Sequence, residues 1–230
     1  MGGIAAVVAE TGVGTGVRLL AAGESAATLA ELRDAGHRPQ THRLDTNPLA
    51  GLRGQPFTPP VVAWPMPDAA FDVVVLGPDL ALVVDDEAAV AEAARTLRPG
   101  GLLVVDVPNN GPLAWLDADN AYRYVRDITR RGPRLHHARG VGWRRHYGEH
   151  DLRALLAPAF GPPVFRTEAV AAGEASRLAL RLLCNWLPDR DQAPPDRLVV
   201  ASDALARRER ALRPPGWGSA LVAVARRAEP

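Results

Sequence analysis

Two short runs constrain this chain more than anything else in it. "FDVVVLG" (71–77) and "LLVVDVPN" (102–109) are apolar at nearly every position. Between them, "DDEAAVAEAARTLRPGG" (85–101) reads as a helix, with acids in its first turn, Arg near its end and a Pro-Gly-Gly stop. A strand with no polar face must be covered on both sides, and two such strands joined by a helix run parallel. The expectation is an α/β fold with helices on both faces of a parallel sheet.

The flanking segments extend the alternation. "IAAVVAE" (4–10), "RPQTHRLD" (38–45) and "PVVAW" (60–64) read as further strands, and "ESAATLAELRDAGH" (24–37) as a helix stopped at Gly36. Downstream, 112–132, 148–161 and 174–188 read as helices, and 162–173 and 218–228 as strands. At 230 residues the chain can bury one substantial core, and a single domain is expected over 1–230.

Composition removes several chemistries. One cysteine, Cys184, rules out an internal disulfide framework or a Cys-rich zinc site. Every fixed positive charge is Arg. The absence of lysine excludes a Schiff-base lysine and a Walker loop, and suggests a GC-rich bacterial genome. A net charge of +1 gives no global pull toward nucleic acid. With neither a signal-peptide pattern nor a long apolar run, no membrane span is expected and a cytoplasmic location is the default.

The segment 61–109 adds a family resemblance. Pro65 to Asp68, then Phe71-Asp72, then Leu97 to Gly101 ("LRPGG") occur in the order found in the middle of class I S-adenosylmethionine-dependent methyltransferases. The resemblance implies a doubly wound, mostly parallel seven-stranded sheet. "PPVFRTEAV" would be its sixth strand and "SALVAVARR" an antiparallel seventh, with a helical insertion at about 174–213 between them. It also implies S-adenosylmethionine as cofactor, with Trp64 and Gly77 against it and Asp45 on its ribose. An acid after the second strand can accept both ribose hydroxyls.

Two registers compete for the cofactor turn. In the first, "ETGVGTG" (10–16) is the loop, and Glu10, Gly12, Gly14 and Gly16 match the family's acid–x–Gly–x–Gly–x–Gly pattern after an apolar strand. In the second, "VRLLAAG" (17–23) is the first strand and "AAGESA" (21–26) the turn. That keeps only Gly23 and crowds the cofactor's methionine end. The first is favoured, because the glycine pattern stands where the apolar run read as a strand ends.

The acceptor side is expected at the carboxyl ends of the fourth and fifth strands, near Asp79 and Asn109. Residues 121–147 carry eight Arg, three His and a single acid, interleaved with aromatics. Arg144, Arg145 and Tyr147 are candidate acceptor contacts, since Arg grips phosphate or carboxylate bidentately. His146 is the candidate general base, and Asp79 a second catalytic candidate. The His residues supply no third ligand for a metal. The leading reading is methyl transfer to a small molecule, an anionic one if the Arg cluster serves it. The alternative is an inactive methyltransferase-fold protein acting as a binding or scaffold subunit. Neither an acceptor nor an oligomeric state is legible.

Overall fold

The computed structural model describes residues 3–24, 26–44, 63–83, 85–129, 144–169, 172–186, 196–209 and 218–229. Helix α1 (Ile4–Glu10) comes first, then strand β1 (Leu19–Ala22), helix α2 (Ala26–Asp34) and strand β2 (Gln40–His42). Strand β3 (Phe71–Leu76) leads through a 3₁₀ turn (Pro78–Leu82) into helix α3 (Asp86–Thr96) and strand β4 (Leu97–Pro108). A second 3₁₀ turn (Ala114–Leu116) and helices α4 (Ala118–Thr129) and α5 (Glu149–Leu156) follow. Strand β5 (Val164–Glu168), helices α6 (Ala172–Trp186) and α7 (Asp196–Glu209), and strand β6 (Ala220–Arg226) complete the chain.

Among the described residues the sheet has six strands in the order β2-β1-β3-β4-β6-β5. The pairs β1–β2, β1–β3 and β3–β4 are parallel, and β6 runs antiparallel to both β4 and β5. The expected antiparallel last strand is therefore present. The expected strand "PVVAW" contributes no described strand: residues 63 and 64 belong to no strand, and 60–62 lie outside the described residues.

Each central strand divides its side chains between two cores. On one face Leu20, Val74, Leu76, Leu103, Val105, Leu221 and Ala223 pack with Ala89, Val90 and Ala93 of α3 and with Leu152 and Leu156 of α5. On the other, Leu19, Ala21, Val73, Val75, Leu102, Val104 and Val222 pack with Ile4, Val7 and Val8 of α1 and Leu32 of α2. This two-sided burial is why β3 and β4 tolerate almost no polar residue. Away from the sheet, α6 packs against both α4 and α7.

One expectation is overturned at the amino end. "IAAVVAE" is helix α1, not a strand. Its buried positions are Ile4, Ala5, Val7 and Val8, the spacing of one helical face, and that face lies on the sheet. A short apolar run does not distinguish a strand from a buried helix by periodicity alone. Two further ends differ from expectation. Helix α3 stops at Thr96, so "LRPGG" already belongs to β4, and the helix expected over 112–132 opens as a 3₁₀ turn.

The loop before β3 is held by one cation. The Arg95 guanidinium on α3 donates to the carbonyls of Trp64 (3.1 Å) and Met66 (2.8 Å), to Glu92 and to Asp68. Glu92 in turn accepts from the Trp64 backbone N–H at 2.7 Å. Its hydrogen bond from Arg95 holds its carboxyl below the ordinary carboxylate range, against the opposing effect of burial. Arg95→Ala should therefore free the 64–68 loop and cost about 2 kcal/mol, the scale of losing charged hydrogen bonds to partly buried acceptors. A denaturant midpoint lowered at unchanged slope would show it; an unchanged midpoint would deny Arg95 this role.

Candidate active site

The sheet order reverses at β1: β2 lies on one side of it and β3 on the other. In open α/β sheets the crevice outside the carboxyl ends at such a reversal is where ligands bind. Here the crevice edge is built from two glycines. Gly23, directly after β1, has φ +66°, and a Cβ there would lie 2.7 Å from Leu44 Cδ1 and 2.9 Å from Asp79 Cβ. Gly77, directly after β3, leaves no room either. Its Cβ would sit 2.3 Å from the Gly23 carbonyl oxygen and 2.7 Å from Glu24 Cδ. The Gly77 N–H donates to Ala22 O (2.8 Å), and the Gly23 N–H to His42 O (3.0 Å). The ends of β1, β2 and β3 are thus joined through backbone.

This geometry identifies the turn that follows the first strand. The segment after β1 is "GESA", the second register. "ETGVGTG" lies ahead of β1, at the amino end of the sheet. Gly12, Gly14 and Gly16 have open space where a Cβ would go. Glu10 ends α1, and its carboxylate accepts from Arg166 Nη1 at 2.7 Å. The favoured placement of Glu10, Gly12, Gly14 and Gly16 at a strand's carboxyl end is therefore corrected: the strand assumed before them is a helix.

The remaining candidates fall in three groups. Trp64 is buried, with its ring centroid 5.0 Å from that of His42. Its indole N–H is buried and makes no hydrogen bond. Burial holds the His42 imidazole below its ordinary pKa, with Glu92 opposing. Gly77 and Asp79 stand at the crevice edge, the latter in the first turn of the 3₁₀ helix. Asp45 lies outside the described residues, but it follows Leu44, whose side chain packs on Gly23. Asn109 is committed elsewhere: its Nδ2 donates to Gly218 O at 2.6 Å, tying β4 to the approach of β6.

Residues 144–148 form a strap across the carboxyl side of the sheet. The Tyr147 N–H donates to Pro108 O, the Asn110 N–H to Tyr147 O, and the Arg145 N–H to Ala81 O, each at 2.9 Å. The strap therefore spans the end of β4 and the turn after β3. Its side chains divide by role. The Tyr147 hydroxyl donates to Asp86 Oδ2 at 2.9 Å, Arg145 pairs with the same carboxylate, and Arg145 Nη2 donates to Val83 O. Burial raises the Tyr147 pKa well above the phenol range, so it stays protonated. Arg144 and His146 both face Asp117, at 3.4 Å from Nη1 and 3.2 Å from Nε2 to Oδ2. Asp117 also accepts from the Asn120 N–H at the start of α4, and Asn120 exchanges two hydrogen bonds with the Arg144 backbone.

The four strap candidates are thus brought together, and each faces a protein carboxylate. Arg145 and Tyr147 anchor the strap on α3, and Arg144 is matched by Asp117. Neither Asp117 nor Glu24 stands out in the sequence. For Asp117 the available signal is its position just ahead of a helix, in "DADN". Among the described residues no group of three or more His, Cys, Asp or Glu could hold a metal ion. No described helix is long and apolar enough to cross a membrane.

The glycine contact makes a sharp expectation. Gly77→Ala should destabilise the protein by about 1–3 kcal/mol, the range for overpacking a filled site. Gly14→Ala, with nothing near its Cβ, should leave the thermal midpoint within a degree or two of the parent, about the effect of a few tenths of a kcal/mol. Equal effects at the two positions would contradict the register.

A family model described as "Methyltransferase domain" matches residues 10–105. No curated protein matches the sequence. Among solved structures, a "putative sarcosine dimethylglycine methyltransferase" from Galdieria sulphuraria superposes with TM-score 0.52 at 14% identity, covering 97% of this chain and 83% of that one. The cyclase SpnF superposes with TM-score 0.51 at 18% identity, covering 98% and 81%. Phosphoethanolamine N-methyltransferase 2 of Haemonchus contortus, in complex with phosphomonomethylethanolamine and S-adenosylhomocysteine, superposes with TM-score 0.54 at 13% identity, covering 97% and 52%. Residues 10–105 thus match a methyltransferase domain, and the strand order with its antiparallel last strand is the fold this chain shares with these structures.

Proposed function

We propose that this protein transfers the methyl group of S-adenosylmethionine to a small acceptor whose attacking atom must lose a proton. The observation that carries the reading is His146 on the strap over the carboxyl side of the sheet, with the Asp117 carboxylate 3.2 Å from its Nε2.

The residues at the reversal fit the cofactor. The buried indole N–H of Trp64 lacks an acceptor, which a nucleoside would supply. The Gly23–Gly77 contact clears side chains from the strand ends. Asp45, following Leu44, is positioned by sequence for the ribose hydroxyls. When bound, the cofactor supplies an electrophilic methyl on sulfur. Everything else falls to the chain's own side chains. The strap and α4 enclose the acceptor, and the His146 imidazole takes its proton. Asp117 compensates the charge that this creates on the ring. Asp79, in the turn after β3, lines the same side.

The anionic option for the acceptor loses its support from Arg144 and Arg145. Asp117 and Asp86 already neutralise them, and transferring them to a ligand would strand two poorly exposed carboxylates.

Two measurements test the reading. Calorimetry should show S-adenosylhomocysteine binding, retained in Gly14→Val; a protein that folds and does not bind it would favour the binding or scaffold alternative. Label from methyl-labelled S-adenosylmethionine should enter a small-molecule extract. His146→Gln should cut that rate about 10²–10⁴-fold, the usual contribution of a positioned base, at unchanged cofactor affinity. An undiminished rate would remove His146 from catalysis.

A further inference from the structure

We propose that Glu174, at the start of α6, is a positioning residue for the His146–Asp117 pair and acts through the first turn of α4; this rests on the role given to His146 above. The amides that open α4 carry the argument. The first N–H groups of a helix have no partner within it and must find one outside. Asp117 stands just ahead of Ala118, and its Oδ1 accepts from the Asn120 N–H at 3.0 Å. A side chain in that place reaches the second or third amide of the helix, not the first. The first belongs to Ala118, which is buried. It donates to Glu174 Oε2 at 3.1 Å, across 56 positions of sequence. The other oxygen, Oε1, accepts from Arg177 Nη1 at 2.7 Å, one turn further along α6.

That one hydrogen bond bears on both members of the pair. Asp117 divides its carboxylate: Oδ1 is drawn to the Asn120 amide, and Oδ2 is left facing His146 Nε2, 3.2 Å away. The Asn120 side chain exchanges two hydrogen bonds with the Arg144 backbone, at 2.8 and 2.9 Å, two residues ahead of His146. The acid and the segment carrying the base are thus both fixed on one helical turn, and that turn is held from α6. Helix α6 is itself fastened, since the Gly173 N–H donates to Glu209 at the end of α7, at 3.1 Å. The α6–α7 pair contributes no strand to the sheet, and on this view it is a support for the proton-accepting group. A carboxylate suits the positive end of α4, but the span from α6 to the Ala118 amide makes its length matter more than its charge.

Two mild variants of the full chain separate reach from charge. Glu174→Gln keeps an acceptor oxygen at the same reach, and Glu174→Asp keeps the charge one methylene short. In Glu174→Asp the Ala118 and Arg144 amides should exchange with solvent about tenfold faster, the scale of one net hydrogen bond. In Glu174→Gln both should stay within about threefold of the parent, close to the scatter of uncoupled sites. With saturating methyl-labelled S-adenosylmethionine and the same small-molecule extract, Glu174→Asp should lower the transfer rate about 10–100-fold, the cost of a displaced catalytic group. Its S-adenosylhomocysteine affinity should stay at the parent value, which reports a folded protein. The rate loss should vanish in a His146→Gln background, because a base that is absent cannot be misplaced. Equal losses in both backgrounds would show a general weakening of the fold and overturn the proposal, as would unchanged Arg144 exchange in Glu174→Asp. A larger loss in Glu174→Gln than in Glu174→Asp would overturn it too, and assign Glu174 an electrostatic role. Each of these outcomes leaves His146 as the base. An undiminished rate in His146→Gln alone would instead take away the base, and this inference with it.

Discussion

The backbone contact between Gly23 and Gly77 is the constraint on which the active side of this protein depends. Two strands that diverge into different connections are held together at their carboxyl ends by the Gly77 N–H on Ala22 O, with the Gly23 carbonyl too close to admit a side chain. Leu44, Asp79 and Glu24 then settle around that contact. The end of β2, the turn after β3 and the start of α2 converge there because nothing bulkier than hydrogen separates the strands. A crevice edge made of backbone is stiff, and stiffness is what a site for a small rigid nucleoside needs.

The second requirement is an enclosure on the carboxyl side of the sheet, and it is built from ion pairs rather than apolar packing. The strap at 144–148 has few apolar side chains to bury, so it is fixed by Asp86 on one flank and Asp117 on the other. Each carboxylate takes two partners from alternating strap residues: Arg145 and Tyr147 go to Asp86, Arg144 and His146 to Asp117. An extended segment points successive side chains to opposite sides. The alternation in "RRHY" is therefore the pattern that lets one strand-like segment bridge two helices.

Much of the fold was legible in the sequence, and the part that failed has a local cause. "FDVVVLG" and "LLVVDVPN" can only be strands buried on both faces, and "SALVAVARR" was assigned the antiparallel place it occupies. The error concerned "IAAVVAE" and the glycines after it. Six apolar residues and a glutamate ahead of a glycine run imitate a first strand, but the true first strand, "LLAA", is shorter and is followed by a turn with one glycine. Periodicity over so few residues carries little information. Asp117 and Glu24 were not legible because their roles arise from tertiary neighbours, the strap and Gly77, that no spacing reveals. His146 could be singled out by its residue type within an Arg-rich segment, but its carboxylate partner is 29 positions away in sequence. Asp45 falls outside the described residues and is placed by sequence alone.

The position of β6 bears on how the chain is completed. It lies between β4 and β5, and among the described residues it is the strand partner of β5 along its whole length. Strand β5 is made before α6 and α7, yet its ladder partner emerges only after both helices. While the chain is being synthesised, β1 to β4 can assemble from segments close in sequence, whereas β4 keeps an open edge until β6 arrives. Loss of β6 would thus leave two unpaired strand edges, and such edges template association between chains. Strand β6 is in effect the closing piece of the sheet, and its loss would be felt across half of it.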